Sequence, residues 1–275
     1  MSDAATTTKV APGTEGFTRR EVEVRGVKTV YYEAGEGPVV VYFHGGGTFH
    51  GIQFAKPWTQ KFRVIMPYHP GFGESADDPR IGAMQHLVLH YLDFFETLGL
   101  DKVHLVGASL GGRLATEFAI SHNDRLKSLI LAAPGGLDIP EHPPANFAAM
   151  SPEEMFLTLS GNQSFLAPFL PPIVPPELFF AQRAREGQAS AKAMLSETSL
   201  EHWMHRITVP CLLLWGKEDK VLPVGRVKAW TDRLPKATTL RIFKDIGHLI
   251  FDESPEAVKA AEAFMLSAEA KTMTM

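Results

Sequence analysis

Short, continuous apolar runs separated by longer amphipathic stretches constrain this 275-residue chain more than any other feature. The runs are Val39–Phe43, Phe62–Met66, Val103–Val106, Leu129–Ala133, Leu212–Trp215 and Thr239–Phe243. A strand apolar on both faces has to be covered on both faces, as strands of a parallel sheet are. Between the runs lie helical patterns. Leu87, Tyr91, Leu92, Phe95 and Leu98 recur at three- and four-residue spacing before Gly99, Leu110–Ile120 is small and apolar, and Pro255 opens Pro255–Met265. Strand–helix alternation implies an open, mostly parallel sheet with right-handed crossovers, the α/β class. Ahead of it, Glu21–Val24 and Thr29–Glu33 alternate around Arg25-Gly26 and predict an antiparallel hairpin.

The stretch 137–203 breaks this rhythm. It is rich in proline and carries Phe147, Met150, Met155, Phe156, Phe165, Phe169, Phe179 and Phe180. Proline-broken short helices with large apolar groups predict an inserted helical lid, since a disordered linker would be poor in aromatics. The expected organisation is therefore a core of residues 17–136 and 204–275, a lid of 137–203, and a mobile N-terminal tail of 1–16.

The net charge of −4, from 27 basic and 31 acidic residues without a basic block, argues against a nucleic-acid partner. No apolar run is long enough for a membrane span. The N-terminal residues lack a signal-peptide pattern, so the expectation is a cytoplasmic protein. A single cysteine, Cys211, excludes an intramolecular disulfide or a multi-cysteine metal site, and its apolar surroundings read as a small buried hydrophobe. The remaining histidines have no acid or cysteine at a spacing that compels a metal site, and no cofactor is implied.

Three segments carry chemistry. Val103-His104-Leu105-Val106-Gly107-Ala108-Ser109-Leu110-Gly111-Gly112 reads as a strand, then Gly-x-Ser-x-Gly, then a helix. That context defines a nucleophile elbow, in which small residues flank a serine lifted clear of the sheet. Upstream, Val39–Phe43 runs into His44-Gly45-Gly46-Gly47, where successive glycines let the backbone approach a substrate closely and aim N–H groups at a developing oxyanion. A serine hydroxyl needs a base, itself oriented by a carboxylate. Two later strands end in acidic and histidine residues, Trp215-Gly216-Lys217-Glu218-Asp219 and Asp245-Ile246-Gly247-His248. Strand ends on one sheet edge converge on one crevice, so Ser109, Asp219 and His248 become candidates for one site. Asp138, after Leu129–Ala133, is a rival for the acid. His50 and His69 are read as lining the site mouth or simply solvated, and Arg113 as a structural contact.

With Arg63–Pro67 and Pro70-Gly71-Phe72-Gly73-Glu74-Ser75 added, these blocks resemble the α/β-hydrolases, in that family's order, over nearly the whole chain after about residue 16. The resemblance implies Ser109 as nucleophile, His248 as base, Asp219 as its orienter, and the backbone N–H groups of Gly46 and Leu110 as oxyanion hole, with Gly45 and Gly47 facing substrate. A serine nucleophile disfavours the aspartate-nucleophile branches. The carbon–carbon hydrolases of ring-cleavage products are close, but usually carry Asn before the nucleophile and Trp after the histidine, where this chain has Ala108 and Leu249. Perhydrolase-like members typically have Met where Leu110 stands. The expected activity is hydrolysis of an ester or lactone of a small apolar molecule through an acyl-enzyme. The alternatives are carbon–carbon hydrolysis and a weakly catalytic ligand receptor on the same fold.

Overall fold

The computed structural model describes residues 13–161, 176–194 and 199–272. Its centre is one eight-stranded sheet in the order β1-β2-β4-β3-β5-β6-β7-β8. The strands are β1 (Thr18–Val24), β2 (Val27–Ala34), β3 (Val39–Phe43), β4 (Arg63–Pro67), β5 (Val103–Ala108), β6 (Leu126–Ala132), β7 (Cys211–Gly216) and β8 (Thr239–Phe243). β1 and β2 form the expected antiparallel hairpin about Arg25-Gly26, and β2 pairs antiparallel with β4. Every pairing from β4 through β3, β5, β6, β7 and β8 is parallel. Partners such as Phe43 with Gly107, Ala108 with Ala132, and Gly216 with Phe243 bring the carboxyl ends of these strands to one edge.

Burial follows the apolar runs. Val40, Val41, Leu105, Val106, Leu129, Ile130, Leu213 and Leu214 are buried, as central strands covered on both faces require. Thr239–Phe243 differs from the expectation. It forms β8, but at the sheet's edge, where Leu240 and Ile242 stay exposed; an apolar run in sequence does not tell an edge strand from a central one. Covering helices are α1 (Met84–Thr97), α2 (Leu110–Ser121), α5 (Val227–Thr231), α6 (Ile250–Glu253) and α7 (Pro255–Thr272). Cys211 is buried, and that burial pushes its thiol up to about 12.

Between β6 and β7 the described chain forms α3 (Pro152–Thr158) and α4 (Pro176–Met194). Phe165 and Phe169 lie outside the described residues, as do the side chains of Phe156, Phe179 and Phe180. Residues 1–12 of the expected tail are likewise outside them. Thr14, however, is buried, and the Gly13 carbonyl accepts the Ile52 N–H at 2.7 Å, so residues 13–16 are seated on the loop after β3. No described helix is long and apolar enough to cross a membrane.

Candidate active site

Ser109 sits between β5 and α2 with φ 53° and ψ −115°. Positive φ is sterically costly for any residue with a Cβ, so the surrounding structure must hold it there. Three backbone bonds do so. Ser109 N–H donates to Ala132 O at 3.0 Å, while its own carbonyl accepts from Arg113 N at 3.1 Å and Gly135 N at 3.0 Å. The flanking glycines are dictated by contact: a Cβ at Gly107 would collide with the Gly111 carbonyl, and one at Gly111 with the Phe43 carbonyl. Ser109 thus stands at the head of α2, where the first helical N–H groups, Leu110's among them, have no intrahelical partner.

The turn His44–Gly47 lies against this serine, the Cβ position of Gly45 being 3.4 Å from Ser109 Cβ. Its framework is a pair of buried imidazoles in close, tilted contact, His44 and His69, with ring centroids 3.8 Å apart. His69 N–H donates to His44 Nε2 at 3.1 Å, so the neutral His44 carries its proton on Nδ1 and donates it to Gly45 O at 2.7 Å. His69 Nε2 donates to His44 O at 3.0 Å, which leaves Nδ1 to accept the Tyr91 hydroxyl. Burial drives both rings neutral, lowering His44 to about 3 and His69 well below its usual value. Against the expectation that it lines the site mouth or is solvated, His69 is fully buried in this scaffold. His50 is buried too, with Asp252 as partner. A loop histidine carries no sequence signal that separates solvent from a packed scaffold.

At the ends of β7 and β8, Asp219 and His248 meet. His248 Nδ1 donates to Asp219 Oδ2 at 2.8 Å, and both side chains are buried. The other carboxylate oxygen accepts the N–H groups of Val221 and Leu222 at 2.9 and 2.8 Å, which fixes the acid in a tight turn. With Nδ1 committed, Nε2 is left as the basic nitrogen. Asp138 and Glu218 are exposed, whereas Asp219 holds the imidazole. The histidine loop is backed by the segment after α3. His248 N–H donates to Leu159 O at 3.0 Å, and Glu253 accepts from both Gly161 N (2.8 Å) and Gly247 N (3.2 Å). Among the described residues Ser109 Oγ is not hydrogen-bonded to His248 Nε2, a contact that often tightens only with substrate bound.

The sequence placed helices in this stretch but singled out none of the polar residues of α4. Its Glu186 is fully buried and accepts from Thr48 Oγ1 (2.6 Å), Gly73 N (3.1 Å), Gln182 Nε2 (3.0 Å) and Arg183 Nη1 (2.7 Å). Arg183 also donates to Gly46 O at 2.9 Å and lies over the Phe49 ring at 5.6 Å. Arg185 reaches Gly73 O and Ser75 O at 3.0 and 2.6 Å. The helix is thereby seated on the two loops that follow β3 and β4. Arg183 and Glu186 stand three residues apart, the spacing of any solvated helical ion pair, so sequence alone gives no sign of their burial. Arg113, read as a structural contact, pairs with Glu117 and donates to Met194 O.

A strained serine at the head of a helix, a glycine turn beside it and a His–Asp pair on the same sheet edge are the marks of a hydrolase on this fold. The profile of the alpha/beta hydrolase family matches residues 40–261, and the chain belongs to that family. Among its relatives is a 2-hydroxy-6-oxononadienedioate/2-hydroxy-6-oxononatrienedioate hydrolase of Comamonas testosteroni, 30% identical over 78% of this chain and 83% of the relative. A 2-hydroxy-6-oxo-6-(2'-aminophenyl)hexa-2,4-dienoic acid hydrolase of Metapseudomonas resinovorans is 26% identical over 92% of each chain. Of solved structures, a bacterial membrane phospholipase A is similar with a TM-score of 0.75 and 25% identity, over 92% of this chain and 87% of that one.

Proposed function

We propose that the protein is a serine hydrolase that cleaves an ester or lactone of a small apolar molecule through an acyl-enzyme. The observation that carries this reading is the backbone of Ser109, held at φ 53° where only a surrounding network would keep a non-glycine residue. His248 Nε2 takes the Ser109 proton as Oγ attacks the substrate carbonyl. Asp219 keeps the imidazole in the required tautomer and stabilises the imidazolium. The N–H groups of Gly46 and Leu110 receive the oxyanion. His248 then gives the proton to the leaving alkoxide, and in the second half it deprotonates the water that releases the acid. Residues 137–203 act as the lid, and their Phe and Met content suits a hydrophobic small-molecule substrate. This chemistry calls for no cofactor or metal, and the partner is a small-molecule ester-like substrate.

The test is hydrolysis of p-nitrophenyl butyrate, with labelling by a fluorophosphonate probe located by peptide mass spectrometry. The wild type should turn over and carry the label on Ser109, and Ser109→Ala should lose both, the rate by about 10⁶-fold. Turnover unchanged in Ser109→Ala would sink the assignment.

A second reading, carbon–carbon hydrolysis of a ring-cleavage product, is favoured by what the two relatives are named for. Ala108 and Leu249 speak against it, since they cannot donate a side-chain hydrogen bond or stack on a conjugated substrate. Bleaching of a 2-hydroxy-6-oxohexa-2,4-dienoate chromophore by a wild type inert toward esters would decide for this alternative.

A further inference from the structure

Three successive carbonyls of the glycine turn are each held by a side-chain donor. His69 Nε2 holds His44 O at 3.0 Å, His44 Nδ1 holds Gly45 O at 2.7 Å, and Arg183 Nη2 holds Gly46 O at 2.9 Å. In a planar trans peptide the N–H points opposite to the carbonyl that shares its plane. Fixing those three oxygens therefore fixes the directions of the Gly45, Gly46 and Gly47 N–H groups. An oxyanion hole works only when its donors are aimed before the charge develops. The first two tethers come from imidazoles packed inside the core, whereas the third comes from α4, a helix of the inserted segment.

We propose that Arg183 is a positioning residue for the oxyanion hole: from α4 it locks the Gly46–Gly47 peptide, which, with His44 on the preceding carbonyl, pins Gly46 from both sides and keeps its N–H aimed while α4 is seated. The inference rests on the serine-hydrolase reading above. Glu186 completes the device, because its buried carboxylate grips Arg183 Nη1 from one side and Thr48 Oγ1 and Gly73 N from the other. The guanidinium thus bridges helix and turn with two donors, a task for which its planar fork is suited and a single ammonium is not. The guanidinium also fills the space that a side chain at Gly47 would need. That overlap provides an independent way to displace it.

The experiment compares wild type with Arg183→Met, Arg183→Lys and Gly47→Ala, each checked for folding by circular dichroism. Three quantities are measured: kcat and KM on p-nitrophenyl butyrate, and the inhibition constant of an aryl trifluoromethyl ketone, whose adduct places an oxyanion in the hole. Arg183→Met should lower kcat about 100-fold, the cost of one misplaced oxyanion donor, with KM within threefold. The ketone should bind weaker by about the same 100-fold. Arg183→Lys keeps the charge but loses the planar fork that holds both partners, and should fall between wild type and Arg183→Met. Gly47→Ala keeps the Arg183 side chain but crowds its guanidinium off the turn, so it should reproduce the kcat loss even if Arg183→Met does not fold.

Wild-type kcat and ketone affinity in folded Arg183→Met, or in Gly47→Ala where Arg183→Met does not fold, would overturn the proposal. So would a rise in KM alone, which would make Arg183 a substrate contact. Failure of the underlying reading has a different signature, a wild type whose Ser109 takes no fluorophosphonate label and whose turnover survives Ser109→Ala.

Discussion

Two histidine–aspartate pairs with little exposure lie close to one another in this chain, and they are built differently. In the first, Asp219 meets His248 at 2.8 Å with one oxygen while two backbone N–H groups take the other. In the second, His50 and Asp252 approach at 3.2 Å, joining the loop after the glycine turn to the short helix α6 that follows His248. Burial works against a charge on His50, but the Asp252 carboxylate outweighs it, and the imidazole is raised above its ordinary value. The second pair is a strap between two loops, in which the carboxylate favours the protonated imidazole. The first is a carboxylate fixed by the backbone and left to aim an imidazole. What separates them is how the acid is held, which residue type and burial do not reveal.

The contrast is broken most directly by neutralising each acid in turn. Asp219→Asn should lower kcat by about 10⁴-fold, because the amide stabilises the wrong tautomer and no imidazolium. Asp252→Asn should leave kcat within about tenfold, since its histidine takes no proton from the nucleophile. Steady-state rates on one ester suffice, and equal losses in the two variants would erase the distinction.

Stability should show the reverse order. His50→Ala leaves a largely buried carboxylate without its imidazole partner, a change expected to cost up to about 3–5 kcal/mol. At about 2–4 °C per kcal/mol for a domain of this size, thermal denaturation should register a clear drop in Tm. A Tm within one degree of wild type would mean that the 3.2 Å pair contributes nothing net, and that the strap is incidental.

Much of the first pair was legible in the sequence, and none of the second. Asp219 and His248 follow glycines at the ends of apolar strands, and strand ends on one edge converge whatever the intervening chain does. Ser109 was readable for the same reason, since a Gly-x-Ser-x-Gly between strand and helix leaves one backbone solution. His50 and Asp252 lie 202 residues apart and are joined only by how a loop packs on a four-residue helix. Nor could the sequence tell that His44 and His69 pack ring against ring, that Glu186 is buried, or that β8 is an edge. Local pattern records which residues share a strand or a turn; packing between loops leaves no period to read.

The neutral histidines sharpen the comparison at the smallest scale. Burial lowers His44 to about 3, His90 and His104 to about 4, and His69 well below its ordinary value. In the unfolded chain each titrates near 6.5. Between those limits the unfolded state binds protons that the folded state refuses, so the stability these four contribute is complete above about pH 6.5 and is lost as pH falls toward their folded values. His50 runs the other way. Its raised value adds stability that is complete below about pH 6.5 and fades above it, so it cannot offset the loss in acid. Each neutral histidine adds a slope of up to about 1.4 kcal/mol per pH unit between pH 6 and 4.5. Unfolding in urea across that window should therefore weaken steeply as pH is lowered. His90→Asn should flatten the slope by close to one proton, whereas His50→Gln should leave it unchanged. If His50→Gln flattened it instead, the strap would be a neutral pair, and the difference between the two kinds of buried histidine would vanish.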